Sequence, residues 1–102
     1  MFGSVEKISA EEVRESLQAK QSLQLIDVRT KEEVAGGKIP GARNLPLNEL
    51  PQRMKELDRS KEYVMVCRSG ARSSKAAKLL KKNGFSVKNM SGGMKAWKWE
   101  LS

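Results

Sequence analysis

The sequence predicts an α/β fold, a mostly parallel sheet with helices on both faces. Two short runs, Leu23-Gln24-Leu25-Ile26-Asp27-Val28 and Tyr63-Val64-Met65-Val66-Cys67, are strongly apolar, as strands buried on both sides require. Segments with helical spacing and helical start and stop signals alternate with them. The 102 residues contain no internal repeat, low-complexity tract or Ser/Gly linker, so residues 1–102 are expected to form one domain.

Each element has its own signal. Ser9 followed by Glu12 is a capping box that opens a first helix, in which Ile8 staples to Val13, and Val13 and Leu17 form an apolar stripe. The strand over 23–28 comes next. Thr30 and Glu33 form a second capping box, and the short helix that follows stops at Gly36-Gly37. Gly37-Lys38-Ile39-Pro40-Gly41-Ala42 is a rigid turn, and Leu45-Pro46-Leu47 is a brief extended piece. Leu50, Met54 and Leu57 predict a helix over 48–57, with Pro51 tolerated near its first turn. After the strand over 63–67, Ala76, Leu79 and Leu80 supply the apolar face of a further helix. It ends at Lys81-Lys82 and the αL signal Asn83-Gly84, with Phe85 packing back on Leu80. Ser86 to Met90 reads as another strand. Gly92-Gly93 turns the chain into a last helix with Met94 and Trp97. Trp97 is expected in the core and Trp99 partly exposed, because residues two apart do not share a helical face.

Composition excludes several chemistries. The chain has 20 Lys and Arg against 12 Asp and Glu, a net charge of +8, but the two signs are interleaved and aromatics are only 5%, so no nucleic-acid partner is expected. With no His and one Cys there is no Ser-His or Cys-His pair, no internal disulfide and no Cys/His zinc cage; neither metal nor cofactor is expected. The longest apolar run is far too short to span a bilayer, and residues 1–7 lack a signal-peptide core, so the expected location is cytoplasmic, without a membrane partner.

Chemistry then concentrates on Cys67. It ends an apolar strand and is followed by Arg68-Ser69-Gly70-Ala71-Arg72-Ser73 and a helix, which points backbone N–H groups and the positive end of the helix dipole at the sulfur. Arg68 and Arg72 add positive charge that lowers a thiol pKa. Gly70 permits close backbone approach, while Ser69, Ser73 and Ser74 offer hydroxyls and N-cap groups. A buried, inert core thiol is the alternative for an isolated Cys, but the loop favours a reactive one. A phosphatase cradle has five residues between Cys and Arg; here four separate Cys67 from Arg72. This narrower loop suits one additional sulfur atom better than a tetrahedral phosphate or arsenate.

The segments Leu25-Ile26-Asp27-Val28-Arg29, Gly37 to Ala42, Leu45-Pro46-Leu47, Val66 to Ser73 and Gly92 to Trp97, in that order, resemble a single-domain rhodanese (thiosulfate sulfurtransferase-like) protein over nearly the whole chain. The resemblance implies a five-stranded parallel sheet, Cys67 as catalytic sulfur carrier, and a substrate loop of Arg68, Ser69, Gly70, Ala71, Arg72 and Ser73. The family commonly has His where this chain has Lys38, a departure outside the sulfur cradle that bears on local packing or surface charge. Asp27 and Arg29 are read as structural support that ties loops together. Lys75, Lys78 and Lys82 on one helix face are a solvated surface or, alternatively, a means of steering anionic donors or docking an acidic acceptor. The implied partners are thiosulfate or another anionic sulfur donor, and a small thiol, cyanide or an acceptor protein. The rival readings are a non-catalytic binding module on the same scaffold and a Cys-dependent phosphatase or arsenate reductase.

Overall fold

Side chains alternate along a strand, and in the central strand that alternation divides the core into two layers. The computed structural model describes residues 4–102, which form one five-stranded, all-parallel sheet. The strands are β1 (Glu6–Ile8), β2 (Gln24–Asp27), β3 (Arg43–Asn44), β4 (Glu62–Val66) and β5 (Ser86–Met90), in the order β1-β5-β4-β2-β3. The helices are α1 (Ala10–Gln18), α2 (Lys31–Ala35), α3 (Leu50–Arg53), α4 (Ala71–Lys82) and α5 (Gly93–Ala96). Tyr63, Met65 and Cys67 fall in one layer with Ile26, Val87, Leu50 of α3, and Ala76, Ala77 and Leu80 of α4. Val64 and Val66 fall in the other, with Leu25, Met90, Ala10 and Val13 of α1, and Trp97. The parity of β4 therefore sends the thiol to the α4 side.

Local signals place most elements. Both capping boxes close: Glu12 N–H donates to Ser9 Oγ and Ser9 N–H to Glu12 Oε1, and Glu33 and Thr30 repeat the exchange. α4 ends with Gly84 at φ 88°, and Phe85 N–H donates to Leu80 O, returning Phe85 to the same apolar layer as Leu80.

Four elements differ from expectation. β1 was not anticipated: its Glu6 and Lys7 are exposed and only Ile8 is buried, so no apolar run marks it. Pairing with β5 makes the strand. The extended piece expected at 45–47 begins earlier, as β3. Its hydrogen bonds nevertheless continue, from Leu45 N–H to Asp27 O and Leu47 N–H to Val28 O. The single helix expected over 48–57 is three short pieces: a 3-10 turn Leu47–Glu49, α3, and a 3-10 turn Met54–Glu56. Pro51 stands in the first turn of α3, where a missing N–H is tolerated. The last helix stops at Ala96, with Trp97 its cap and Trp99 beyond it. The helical-face argument therefore does not apply, and the two indoles meet edge to face, 5.0 Å between centroids.

Among the described residues no helix is long and apolar enough to cross a membrane.

Leu80 is fully buried between α4 and the sheet. Leu80→Ala is expected to lower stability by about 2–5 kcal/mol, read as a lower urea midpoint with an unchanged m-value.

Candidate active site

β4 delivers Cys67 between β2 and β5, and the chain turns at once through Arg68-Ser69-Gly70 into α4. The turn is possible because Gly70, the N-cap of α4, takes φ 107°, a left-handed conformation that disfavours a side chain. Conformation, not crowding, is what demands glycine there: an added Cβ would lie 3.7 Å from the nearest atom, Gly92 N. The crowded position is Gly93, where a Cβ would come within 2.4 Å of Cys67 O. That approach lets α5 clasp the loop, with Met94 N–H donating to Cys67 O at 2.8 Å and Lys95 N–H to Arg68 O at 3.1 Å.

Cys67 is only 1% exposed, yet its sulfur is well supplied with donors. Gly70 N–H lies 3.0 Å from Sγ, and the buried Ser73 hydroxyl lies 3.3 Å away. Burial is the largest influence on this thiol and pushes its pKa up. Hydrogen bonds from the Ser73 hydroxyl and from the backbone of Ser73, Gly70 and Ser69 outweigh it, leaving the pKa below the ordinary thiol value. The serines expected as N-caps do not cap: no side chain accepts from the first turn of α4, and Ser73 turns its hydroxyl to sulfur.

The guanidiniums are arranged differently from the simple picture of two cations facing the thiol. Arg72 donates through Nη1 and Nη2 to Glu33 Oε1 and Oε2 at 2.6 and 2.8 Å. The Arg72 hydrogen bonds, together with Thr30 N–H, hold the Glu33 carboxyl down at about 2. Glu33 thus closes the α2 capping box and neutralises the loop arginine at once. Asp27 is fully buried and accepts from Arg29 Nε and Nη2, while Arg29 Nη2 also donates to Gly37 O at 2.8 Å. Asn44 Nδ2 donates to the carbonyls of both Asp27 and Arg29. This cluster joins the end of β2 to β3 and to the turn after α2. Arg68 and Lys95 are in none of the ion pairs among the described residues. With Met94, Arg29 and Glu33 they line an open depression of about 360 Å³ beside the loop.

Of the remaining loop residues, Ser69 and Ala71 are exposed, and Ala71 starts α4. Lys75, Lys78 and Lys82 are all exposed on α4. Lys38 exchanges backbone hydrogen bonds with Ser102. Sequence reasoning missed two contributors. Glu33 was visible only as a capping residue, and nothing in its spacing points to an arginine 39 positions on. Gly93 reads in the sequence as part of a turn, and its doublet with Gly92 is the available signal.

Known proteins share this chain's sequence pattern and fold. A model of the rhodanese-like domain matches residues 9–100. The chain is 45% identical to YtwF of Bacillus subtilis (strain 168) over 96 residues, which cover 94% of this chain and 93% of that one. It is 39% identical to a protein named sulfurtransferase from Allochromatium vinosum, over 91% of this chain and 88% of that one. The crystal structure of a rhodanese-like domain protein from Staphylococcus aureus superposes with a TM-score of 0.91 at 35% identity, covering 96% of this chain and 97% of that one.

Two outcomes follow from the site's electrostatics. The Glu33 pKa is depressed, so its contribution to stability is complete above the ordinary carboxyl value of 4.5 and is lost as the pH falls towards 2. Because the pair is about one-third exposed, Glu33→Gln is expected to lose only about 0.2–1 kcal/mol at pH 7, a deficit that shrinks to nothing in acid denaturation series near pH 2. For the thiol, Ser73→Ala removes a donor to the charged form. The midpoint of the pH–rate profile for iodoacetamide alkylation should therefore move up, and a midpoint that stays or falls would contradict the assignment.

Proposed function

The chain belongs to the rhodanese family, and on that premise we propose that it is a sulfurtransferase that carries sulfane sulfur on Cys67. The observation that carries this reading is a strand-end sulfur that accepts hydrogen bonds from Gly70 N–H and the Ser73 hydroxyl inside a short loop. Such a cradle favours a thiolate and suits the negative charge of a persulfide that replaces it.

The proposed reaction has two displacements. The Cys67 thiolate attacks the outer sulfur of thiosulfate or a similar anionic donor; the donor's S–S bond breaks, its electron pair leaves with sulfite, and Cys67 holds a persulfide. An external thiolate or cyanide then attacks the outer sulfur of that persulfide, forming the acceptor's new bond to sulfur and returning the thiolate to Cys67. No proton transfer to carbon, nitrogen or oxygen is needed, which is consistent with a chain that contains no His. The chain has one Cys, so the acceptor comes from outside it.

Within the loop, the backbone of Ser69, Gly70 and Ser73 holds the sulfur charge, and Arg68 draws in the anionic donor. Arg72, engaged by Glu33, holds the loop's shape and contributes its field from a distance. Asp27 and Arg29 support the turns around the site. One human relative, 32% identical and covering 88% of this chain, is named thiosulfate:glutathione sulfurtransferase, which supports thiosulfate as donor and a small thiol as acceptor.

Intact-mass measurement after incubation with thiosulfate tests the reading. The wild-type protein is expected to gain one sulfur atom, removable by cyanide or by a thiol, and Cys67→Ser to gain none. A wild-type protein that reacts with iodoacetamide at Cys67 but never takes up sulfur would replace this reading with a binding role for the scaffold.

A further inference from the structure

Among the described residues four polar or charged side chains are buried: Asp27, Arg29, Ser73 and Asn89. The first three are accounted for by their hydrogen bonds to one another or to sulfur. Asn89, 7% exposed in β5, is different. Its Nδ2 donates to Gly70 O at 3.2 Å, while its Oδ1 has no partner among the described residues. A buried amide whose carbonyl oxygen has no partner opposes folding, and an apolar side chain of the same shape would pack there without that penalty. Stability does not explain the residue.

Position does. Asn89 pairs in register with Met65 of β4, two residues before Cys67, and shares its parity with Val87, which lies in the α4 layer. It therefore stands on the rigid sheet directly beside the loop. Gly70 is the residue most in need of an anchor. At φ 107° and without a Cβ it has other conformations within reach, and its N–H is one of the groups aimed at Cys67 Sγ. Two donors hold its carbonyl: Ser74 N–H at 3.0 Å, from the first turn of α4, and Asn89 Nδ2, from the sheet. The amide gives this bond through its NH₂, because the partner is a carbonyl oxygen and can only accept.

We propose that Asn89 is a positioning residue of the sulfur site, which anchors Gly70 to the sheet and so keeps the Gly70 N–H directed at the Cys67 sulfur. The residue does not touch substrate. It acts through the loop, and the sulfur's reactivity depends on it even though the fold does not.

The inference deepens the sulfur-carrier reading, but its test needs no sulfur donor. Asn89→Leu matches the amide in shape and removes the donor; Asn89→Ala removes it without any risk of overpacking. The charged groups around the thiol (Arg68 and Arg72 in the loop, Asp27 and Arg29 after β2, Glu33 on α2 and Lys95 on α5) stay the same in both. Iodoacetamide alkylation of Cys67 is followed against pH, with thermal unfolding of the same samples. Both variants are expected to show a higher pH midpoint and an alkylation rate at pH 7 lower by about tenfold, while Asn89→Leu unfolds at or above the wild-type temperature. An unchanged midpoint in both variants, whatever their stability, overturns the proposal. Failure of the wild-type protein to accept sulfur from thiosulfate would count against the function proposed above and leave this readout intact.

Discussion

A sulfur atom sunk to 1% exposure keeps a depressed pKa only if donors replace the water it has lost, and in this chain they do. The rest of the site serves that exchange. The turn after β4 has to be tight enough to aim Gly70 N–H backwards, which demands a left-handed residue, and the first turn of α4 has to present the Ser73 hydroxyl from the same side. α5 then locks the outer edge of the loop by bonding to the carbonyls of Cys67 and Arg68, which is open to it only because Gly93 has no side chain.

Charge is distributed around this sulfur with more restraint than a net +8 suggests. Two of the arginines nearest the site are neutralised, Arg29 by the buried Asp27 and Arg72 by Glu33. Each pair also does structural work, one across the end of β2 and one between α2 and the loop. Arg68 and Lys95, outside the ion pairs among the described residues, line the open depression beside the loop. Hydrogen bonds to the sulfur offset the cost of its burial, while Arg68 and Lys95 stay exposed. The division is physically sensible, since a fixed short-range donor selects one atom while an exposed charge acts over several ångströms and is screened by salt.

How much of this was legible depended on how local the encoding was. Both capping boxes, the αL stop at Gly84, the two apolar central strands and the thiol at a strand end were readable because the residues that make each lie within one or two turns of one another. β1 was hidden because only Ile8 of its three residues is buried, and an edge strand formed by pairing leaves no apolar run. Leu50, Met54 and Leu57 kept helical spacing, yet the backbone between them changes between α and 3-10 geometry, which apolar spacing alone does not distinguish. The parallel sheet, inferred from alternation, and its five strands, implied by family resemblance, are found as expected, whereas the strand order comes from the structure alone.

The sequence by itself determined the capped helices α1 and α2, the long helix α4, the two central strands, the single thiol and the loop that follows it, because each rests on backbone preference or on neighbours close along the chain. Tertiary structure alone decided which groups serve the sulfur and which are spent elsewhere. Glu33 meets Arg72 across 39 positions, Asn89 reaches Gly70 across 19, and Gly93 lies against Cys67 only because the order β5-β4-β2 brings those ends together. A carboxylate, an amide and a glycine look ordinary in a sequence. Their chemistry here is set by the partner that the sheet places within hydrogen-bonding distance.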